Sequence, residues 1–258
     1  MPTITNWAVG SSDTGTTSVD ITCTTGESVY VFVGGDATGG IGPSAVTDDQ
    51  SPPNVYTRID GSNIQQGTST VCHFAYYCDN VQCPGGSLNV TVTMGALNFT
   101  GIVSAAALSG TVTPSLDAFA LSTRMTGTGA VQAIGPCDLG ITQGGELAFV
   151  FAVAGDSAAF LPGAQTLSPP LTGGTEVMDT DANGFYDLVV AYDPNPIPGR
   201  MAYNGTSNEG AANGVVQMMG VSIMGPPVVA GTTNTNPLSY YGYSPETMFG
   251  FRQEPTEG

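Results

Sequence analysis

Two-residue alternation is the feature that most constrains this chain. Leu88, Val90, Val92 and Met94 alternate with Asn89, Thr91 and Thr93, and Val19, Ile21 and Cys23 alternate with Asp20 and Thr22. Successive side chains of a strand point to opposite faces, so the pattern predicts half-buried strands. Denser β-branched and aromatic runs join them: Ser28–Val33, Val71–Tyr77, Phe99–Leu108 and Leu147–Val153. Asn54–Ile59, Leu116–Ser122, Tyr186–Tyr192 and Val215–Ile223 read the same way. Turn clusters separate these runs, among them Gly34-Gly35-Asp36, Ser51-Pro52-Pro53-Asn54, Pro84-Gly85-Gly86 and Asp193-Pro194-Asn195-Pro196. Such residues supply the positive or fixed φ that turns require. No amphipathic helix stands out, and no repeat of fixed period is visible. The expected fold is an all-β antiparallel β-sandwich of two sheets and about ten strands, jelly-roll-like, over residues 1–224.

The pattern changes at Gly225. Pro226, Pro227, Pro237, Pro245 and Pro255 interrupt it, and Tyr240, Tyr241, Tyr243, Phe249 and Phe251 add aromatics. One reading of residues 225–258 is an extended C-terminal arm that lies on a neighbouring subunit, because aromatics are favoured at interfaces. The other is a loosely ordered tail.

Charge narrows the partners. Charged residues make up 10% of the 258 residues, the formal net charge is −17, and there is no lysine. Arg58, Arg124, Arg200 and Arg252 are the basic residues. A nucleic-acid binder needs a basic surface to neutralise phosphate, and anionic membranes attract basic segments, so neither partner is expected. No apolar run reaches the roughly 18 residues of a membrane-spanning helix. The start, Met1 to Trp7, has no basic region followed by a long apolar one, so a standard signal peptide is not expected. A composition rich in Thr, Ser, Gly and Asn nevertheless points to a virion or an extracellular surface.

The segment Ala45-Val46-Thr47-Asp48-Asp49-Gln50, followed by Asn54-Val55-Tyr56-Thr57, resembles a hairpin of uncharacterised phage and bacterial surface proteins. In that pattern an aromatic strand and a V-T-V-T strand follow, here Phe74-Ala75-Tyr76-Tyr77 and Leu88-Asn89-Val90-Thr91-Val92-Thr93. Ala106-Ala107-Leu108-Ser109-Gly110-Thr111-Val112 is similar to its next element, whereas Pro52-Pro53 replaces its usual Gly. The resemblance covers roughly the first half of the chain. It implies a β-sandwich used at a particle or cell surface, and it brings no catalytic residues.

One loop carries metal chemistry. Asp179, Asp181 and Asn183 alternate, Gly184 allows a sharp bend, and Asp187 follows. Ca²⁺ takes six to eight oxygens from mixed carboxylate, amide and carbonyl donors. The string also resembles the loops of FG-GAP repeats, which implies Asp179, Asp181, Asn183 and Asp187 as side-chain ligands and Phe185 as a carbonyl ligand. The competing reading is an acidic turn without metal.

The cysteines are Cys23, Cys72, Cys78, Cys83 and Cys137. Cys78 and Cys83 bracket four residues between two strand candidates, and pairing of those strands would let them form a disulfide. Cys23 falls on an apolar face and reads as a small buried hydrophobe. His73, the one histidine, neighbours Cys72, but adjacent strand residues face opposite ways, so they do not make a catalytic pair. Asp13-Thr14-Gly15 matches the short aspartic-protease signature without its second copy.

These observations favour a non-enzymatic structural protein. The expected role is a phage virion component, such as a capsid decoration, head-fibre or tail-associated subunit. It would assemble with itself and with other particle proteins. The alternatives are a secreted adhesin or lectin-like module that binds glycans, and an extracellular filament subunit.

Overall fold

The computed structural model describes residues 1–12, 14–36, 42–66, 69–95, 101–122, 125–127, 132–155, 166–168, 172–178, 186–207 and 214–227. The chain divides into two compact units, Met1–Pro227 and Val228–Gly258, and the second lies outside the described residues.

The first unit is all-β and antiparallel. Its first eight strands are β1 (Thr3–Ser12), β2 (Thr16–Thr22), β3 (Ser28–Asp36), β4 (Pro43–Thr47), β5 (Thr57–Gln66), β6 (Ser69–Cys78), β7 (Ser87–Met94) and β8 (Gly101–Ser109). They form sheet A, ordered β1-β8-β3-β6-β5, and sheet B, ordered β2-β7-β4. Next come β9 (Leu116–Leu121), β10 (Met125–Gly127), β11 (Gln132–Ile141), β12 (Leu147–Gly155) and β13 (Thr166–Ser168). The last four are β14 (Thr172–Met178), β15 (Tyr186–Asp193), β16 (Gly199–Ser207) and β17 (Gly214–Ile223). Sheet C is ordered β10-β17-β12-β15-β14 with β9 also on β17, and sheet D is ordered β11-β16-β13.

Three cores join the four sheets in the order B, A, C, D. Val19, Ile21, Leu88, Val90 and Val92 of sheet B pack on Val29, Val31, Val33, Phe74 and Tyr76 of sheet A. The other face of sheet A presents Tyr30, Phe32, Ala75, Ile102 and Leu108 to Phe149, Phe151, Val153, Leu188 and Val221 of sheet C. Ala148, Val150, Ala152 and Met218 of sheet C then meet Cys137, Leu139 and Tyr203 of sheet D. The antiparallel all-β expectation holds, and the single pair of sheets becomes two pairs stacked face to face.

This layering explains the two sequence patterns. β2 and β7 belong to an outer sheet and bury alternate residues. β8 belongs to an inner sheet covered on both sides, so Gly101 to Leu108 are all buried. β3 and β12 are apolar runs for the same reason. Full burial of each Phe or Leu contributes about 1.5–3 kcal/mol. The central aromatics add specific geometry: Phe32 lies 5.0 Å from Phe149 and 4.9 Å from Phe151, and Trp7 meets Phe149 edge-on at 5.7 Å. The Trp7 indole nitrogen donates to Ser104 Oγ at 2.7 Å, so its polar atom is satisfied.

The predicted Asn54–Ile59 strand begins instead at Thr57, because residues 48–56 form a loop held by side-chain hydrogen bonds. The short or polar strands β1, β4, β11, β14 and β16 lacked a legible apolar pattern.

Candidate functional site

The segment from Ala45 to Thr57, expected as a hairpin, instead crosses from β4 of sheet B to β5 of sheet A and forms a clasp around Asp48. Its Oδ1 accepts from the backbone N–H of Gln50 at 3.1 Å and of Asn54 at 3.2 Å. Its Oδ2 accepts from Asn54 Nδ2 at 2.7 Å and from the Tyr56 hydroxyl at 3.1 Å. Asn54 Oδ1 in turn accepts from Gln82 N–H at 2.7 Å, which ties this loop to the β6–β7 connection. Burial, and then the Asp48 charge, push the Tyr56 phenol well above its ordinary range, so it remains a donor.

A second hub forms at Asp79, just after β6. Ser28 Oγ donates to its Oδ1 at 2.7 Å, Ser115 Oγ donates to the same oxygen, and Ser115 N–H donates to Oδ2 at 3.0 Å. The Tyr30 hydroxyl lies 2.7 Å from Ser115 Oγ. Ser115 and Tyr30 are fully buried. The Ser115 hydroxyl is therefore consumed in holding the segment between β8 and β9 against β3 and β6.

A third hub joins Asp117 and Glu146. Thr142 Oγ1 donates to Asp117 Oδ1 at 3.0 Å and lies 3.1 Å from Glu146 Oε1. Glu146 Oε1 also accepts the N–H groups of Thr142 at 3.0 Å and Gln143 at 2.7 Å, while its buried Oε2 has no partner. Burial raises the Glu146 carboxyl above its usual range, opposed by these hydrogen bonds.

The outer face of sheet B is a regular polar surface. Thr16 pairs with Thr93, Ser18 with Thr91, Asp20 with Asn89, and Thr22 with Ser87. Ala45 and Thr47 of β4 continue the first two rows. Ser18 and Thr91 hydroxyls lie 2.9 Å apart, and Asn89 Nδ2 donates to Asp20 Oδ1 at 2.7 Å. Neighbouring strands about 4.8 Å apart make this an evenly spaced array of hydroxyl and amide groups.

The predicted disulfide is corrected. Cys23 bonds Cys83, and Cys72, Cys78 and Cys137 are buried cysteines outside that disulfide. The Cys78–Cys83 expectation required β6 and β7 to be neighbours in one sheet. Instead β6 lies in sheet A and β7 in sheet B, so residues 79–86 cross between layers. β2 and β7 are neighbours, and the Cys23 N–H reaches the Gly86 carbonyl at 3.2 Å, which brings Cys23 beside Cys83. Burial, and then Asp48 and Asp79, push the Cys78 thiol up to about 11.

His73 is a packed strand residue, fully buried, with its ring 4.5 Å from Phe151. Neither ring nitrogen has a hydrogen-bond partner, and burial lowers its pKa to about 3. Asp179, Asp181, Asn183 and Phe185 lie outside the described residues. Of the Asp187 position only the backbone is described, paired with Met178. Asp13, Tyr240, Tyr241, Tyr243, Phe249 and Phe251 also lie outside them. Among the described residues, no three His, Cys, Asp or Glu side chains converge as a metal group, and no helix is long and apolar enough to cross a membrane. Asp48, Asp79 and Asp117 were missed as hubs. The signal that could have found them is an acidic residue beside turn formers at a strand end. Comparison with protein-family models, with curated proteins and with solved structures finds no match.

Proposed function

We propose that this chain is a non-enzymatic structural protein of a particle surface, a component of a phage virion that assembles with copies of itself and with other particle proteins. The observation that carries this reading is how the polar side chains are used. The carboxylates of Asp48 and Asp79 accept three or more internal hydrogen bonds each and brace loops. Polar chemistry committed to bracing a multilayer β-core suits a scaffold.

Each pair of sheets is read as jelly-roll-like. In the first, β1 pairs with β8, β2 with β7 and β3 with β6, the nesting of a long hairpin rolled over on itself. The 225–258 segment, with Tyr240, Tyr241, Tyr243, Phe249 and Phe251, is the arm proposed to contact a neighbouring subunit, and Asp179–Asp187 the loop proposed to bind a structural Ca²⁺.

The test is quantitative mass spectrometry of gradient-purified particles beside sheared cell-surface material from the same culture. Fixed stoichiometry with a major capsid or tail protein is the expected result. Enrichment in the cell-surface fraction without virion proteins would overturn it. A second reading, a glycan-binding surface module, draws on the hydroxyl and amide array of sheet B, which suits a polyhydroxylated ligand. Glycan-array binding lost on substituting Thr91 and Thr93 would favour that reading.

A further inference from the structure

The two pairs of sheets share one plan. Let β9 and β10 together stand for β1, and let β11 to β17 stand for β2 to β8. Sheet A, β1-β8-β3-β6-β5, then becomes β10-β17-β12-β15-β14 with β9 on β17, which is sheet C. Sheet B, β2-β7-β4, becomes β11-β16-β13, which is sheet D.

The register matches as well as the order. Tyr30 lies opposite Tyr77 and Ala106, and Phe149 lies opposite Tyr192 and Val221. Two residues on, Phe32 lies opposite Ala75 and Ser104, and Phe151 opposite Val190 and Met219. The irregularities coincide too. β1 skips a residue between Ile4 and Asn6 opposite Leu108 and Ala107, and β9 skips one between Leu116 and Ala118 opposite Ile223 and Ser222. The edge strands β5 and β14 both break register at the matching stretch of β6 and β15. Bulges are deliberate local features, and two unrelated sandwiches have no reason to share them.

Local chemistry repeats in the turn before the central strand. Thr24-Thr25-Gly26-Glu27 matches Thr142-Gln143-Gly144-Gly145-Glu146 with one residue inserted. Gly26 and Gly145 have φ of 96° and 83°, and each Glu accepts the N–H of its Thr, at 2.8 Å and 3.0 Å.

Matched residues also face one another across the central core. Phe32 meets Phe151 at 4.9 Å and Tyr30 meets Phe149 at 6.3 Å. A Cβ on Gly34 would lie 3.0 Å from Val153 Cγ2. Three alternate positions each facing their own counterpart require β3 and β12 to run alongside each other about an approximate two-fold axis parallel to the strands. That is the signature of an isologous interface, in which one surface patch meets itself.

We propose that residues 1–110 and 112–225 are two copies of one eight-stranded module. The face carried by β3, β6 and β8 is then a recognition surface whose partner is a second copy of that module. The inference is independent of the particle reading. The chain ends fit it: a Cβ on Gly110 would lie 2.9 Å from the Met1 carbonyl oxygen, and one on Gly225 would lie 3.0 Å from Met1 Cα. The end of either module can therefore lead into Met1.

The test exchanges the order of the modules while keeping every residue: 112–225, then 1–111, then 226–258. The exchanged chain is expected to show the parent's β circular dichroism, a melting temperature within about 5 °C, equivalent to roughly 1–2 kcal/mol in a domain this size, and the Cys23–Cys83 bridge. In the unexchanged full chain, the double variant G34C/V153C should form a bridge between the two introduced thiols under mild oxidation, read by peptide mapping. An exchanged chain that stays unfolded, or introduced thiols that remain reduced in a folded protein, overturns the proposal.

Discussion

His73 sits in the central core with both ring nitrogens unpaired, and that fixes how stability should change with pH. Burial lowers its folded-state pKa to about 3, against 6.5 in the unfolded chain. The unfolded state therefore takes up a proton first as pH falls. The resulting stability is fully present above pH 6.5 and is lost progressively down to about pH 3. Each unit of separation amounts to about 1.4 kcal/mol, so at pH 5 the loss is about 2 kcal/mol. The neutral ring also has a cost at any pH, because two buried nitrogens lack partners, of about 1–2 kcal/mol. His73→Leu removes both terms and keeps an apolar side chain against Phe151. Leu188 stands at the matching position of the second module. Urea unfolding at several pH values measures the outcome. The variant should exceed the parent by about 1 kcal/mol at pH 8 and about 3 kcal/mol at pH 5. The 21 acidic residues are common to both proteins, so the difference isolates the histidine. Parallel stability curves would refute the reasoning, since they would mean that His73 gains a proton as easily when folded as when unfolded.

Three further expectations are independent of that one. Cys83→Ser should destabilise the oxidised protein by about 4 kcal/mol, because the Cys23–Cys83 bridge closes a loop with a sequence separation of 60, and peptide mapping should find Cys72, Cys78 and Cys137 as thiols that alkylate only on unfolding. Asp79→Ala should cost about 2–4 kcal/mol, since it leaves Ser28 and the buried Ser115 donors without their acceptor; urea midpoints unchanged from the parent would show that the hub contributes nothing. Calcium should raise the melting temperature through Asp179, Asp181, Asn183, Phe185 and Asp187, and Asp181→Ala should abolish the rise; identical melts in calcium and EDTA would dismiss the site.

Two periodicities in the sequence encode the layers, and only one is easy to read. Alternation in β2 and β7 names an outer sheet with a wet face. Continuous apolar runs in β3, β8 and β12 name inner sheets wet on neither face. Read strand by strand, both simply report β-structure, which is why the fold class was legible and the layer number was not. The internal duplication was hidden for a different reason. Outside the turns at Glu27 and Glu146 and the aromatic strands that follow, matched positions differ in size and even in polarity: Ala106 matches Val221, and Ser104 matches Met219. Register and bulges survive such exchanges, whereas residue identity does not. The disulfide was misread because four intervening residues suit a hairpin and a crossover between sheets equally well. Sequence spacing carries no information on which sheet the next strand joins.

The acidic, lysine-free composition has a physical counterpart at those crossovers. Where a chain leaves one layer for another, its backbone N–H groups lose their ladder partners and need acceptors. Glu27 stands between β2 of sheet B and β3 of sheet A. Asp48 follows β4 on the way to β5, Asp79 follows β6 on the way to β7, and Glu146 stands between β11 and β12. All four are at changes of layer, and each accepts from backbone N–H groups, at distances that include 2.8 Å for Thr24 and 2.7 Å for Gln143. A carboxylate offers two oxygens with several lone pairs, enough to hold two or three donors at once, and a lysine offers none. Part of the negative charge, these four of the 21 acidic residues, thus answers the demand for acceptors in a fold with many layer crossings. The same demand ties the charge to stability: protonating these groups converts acceptors into donors at the positions where donors are already in excess.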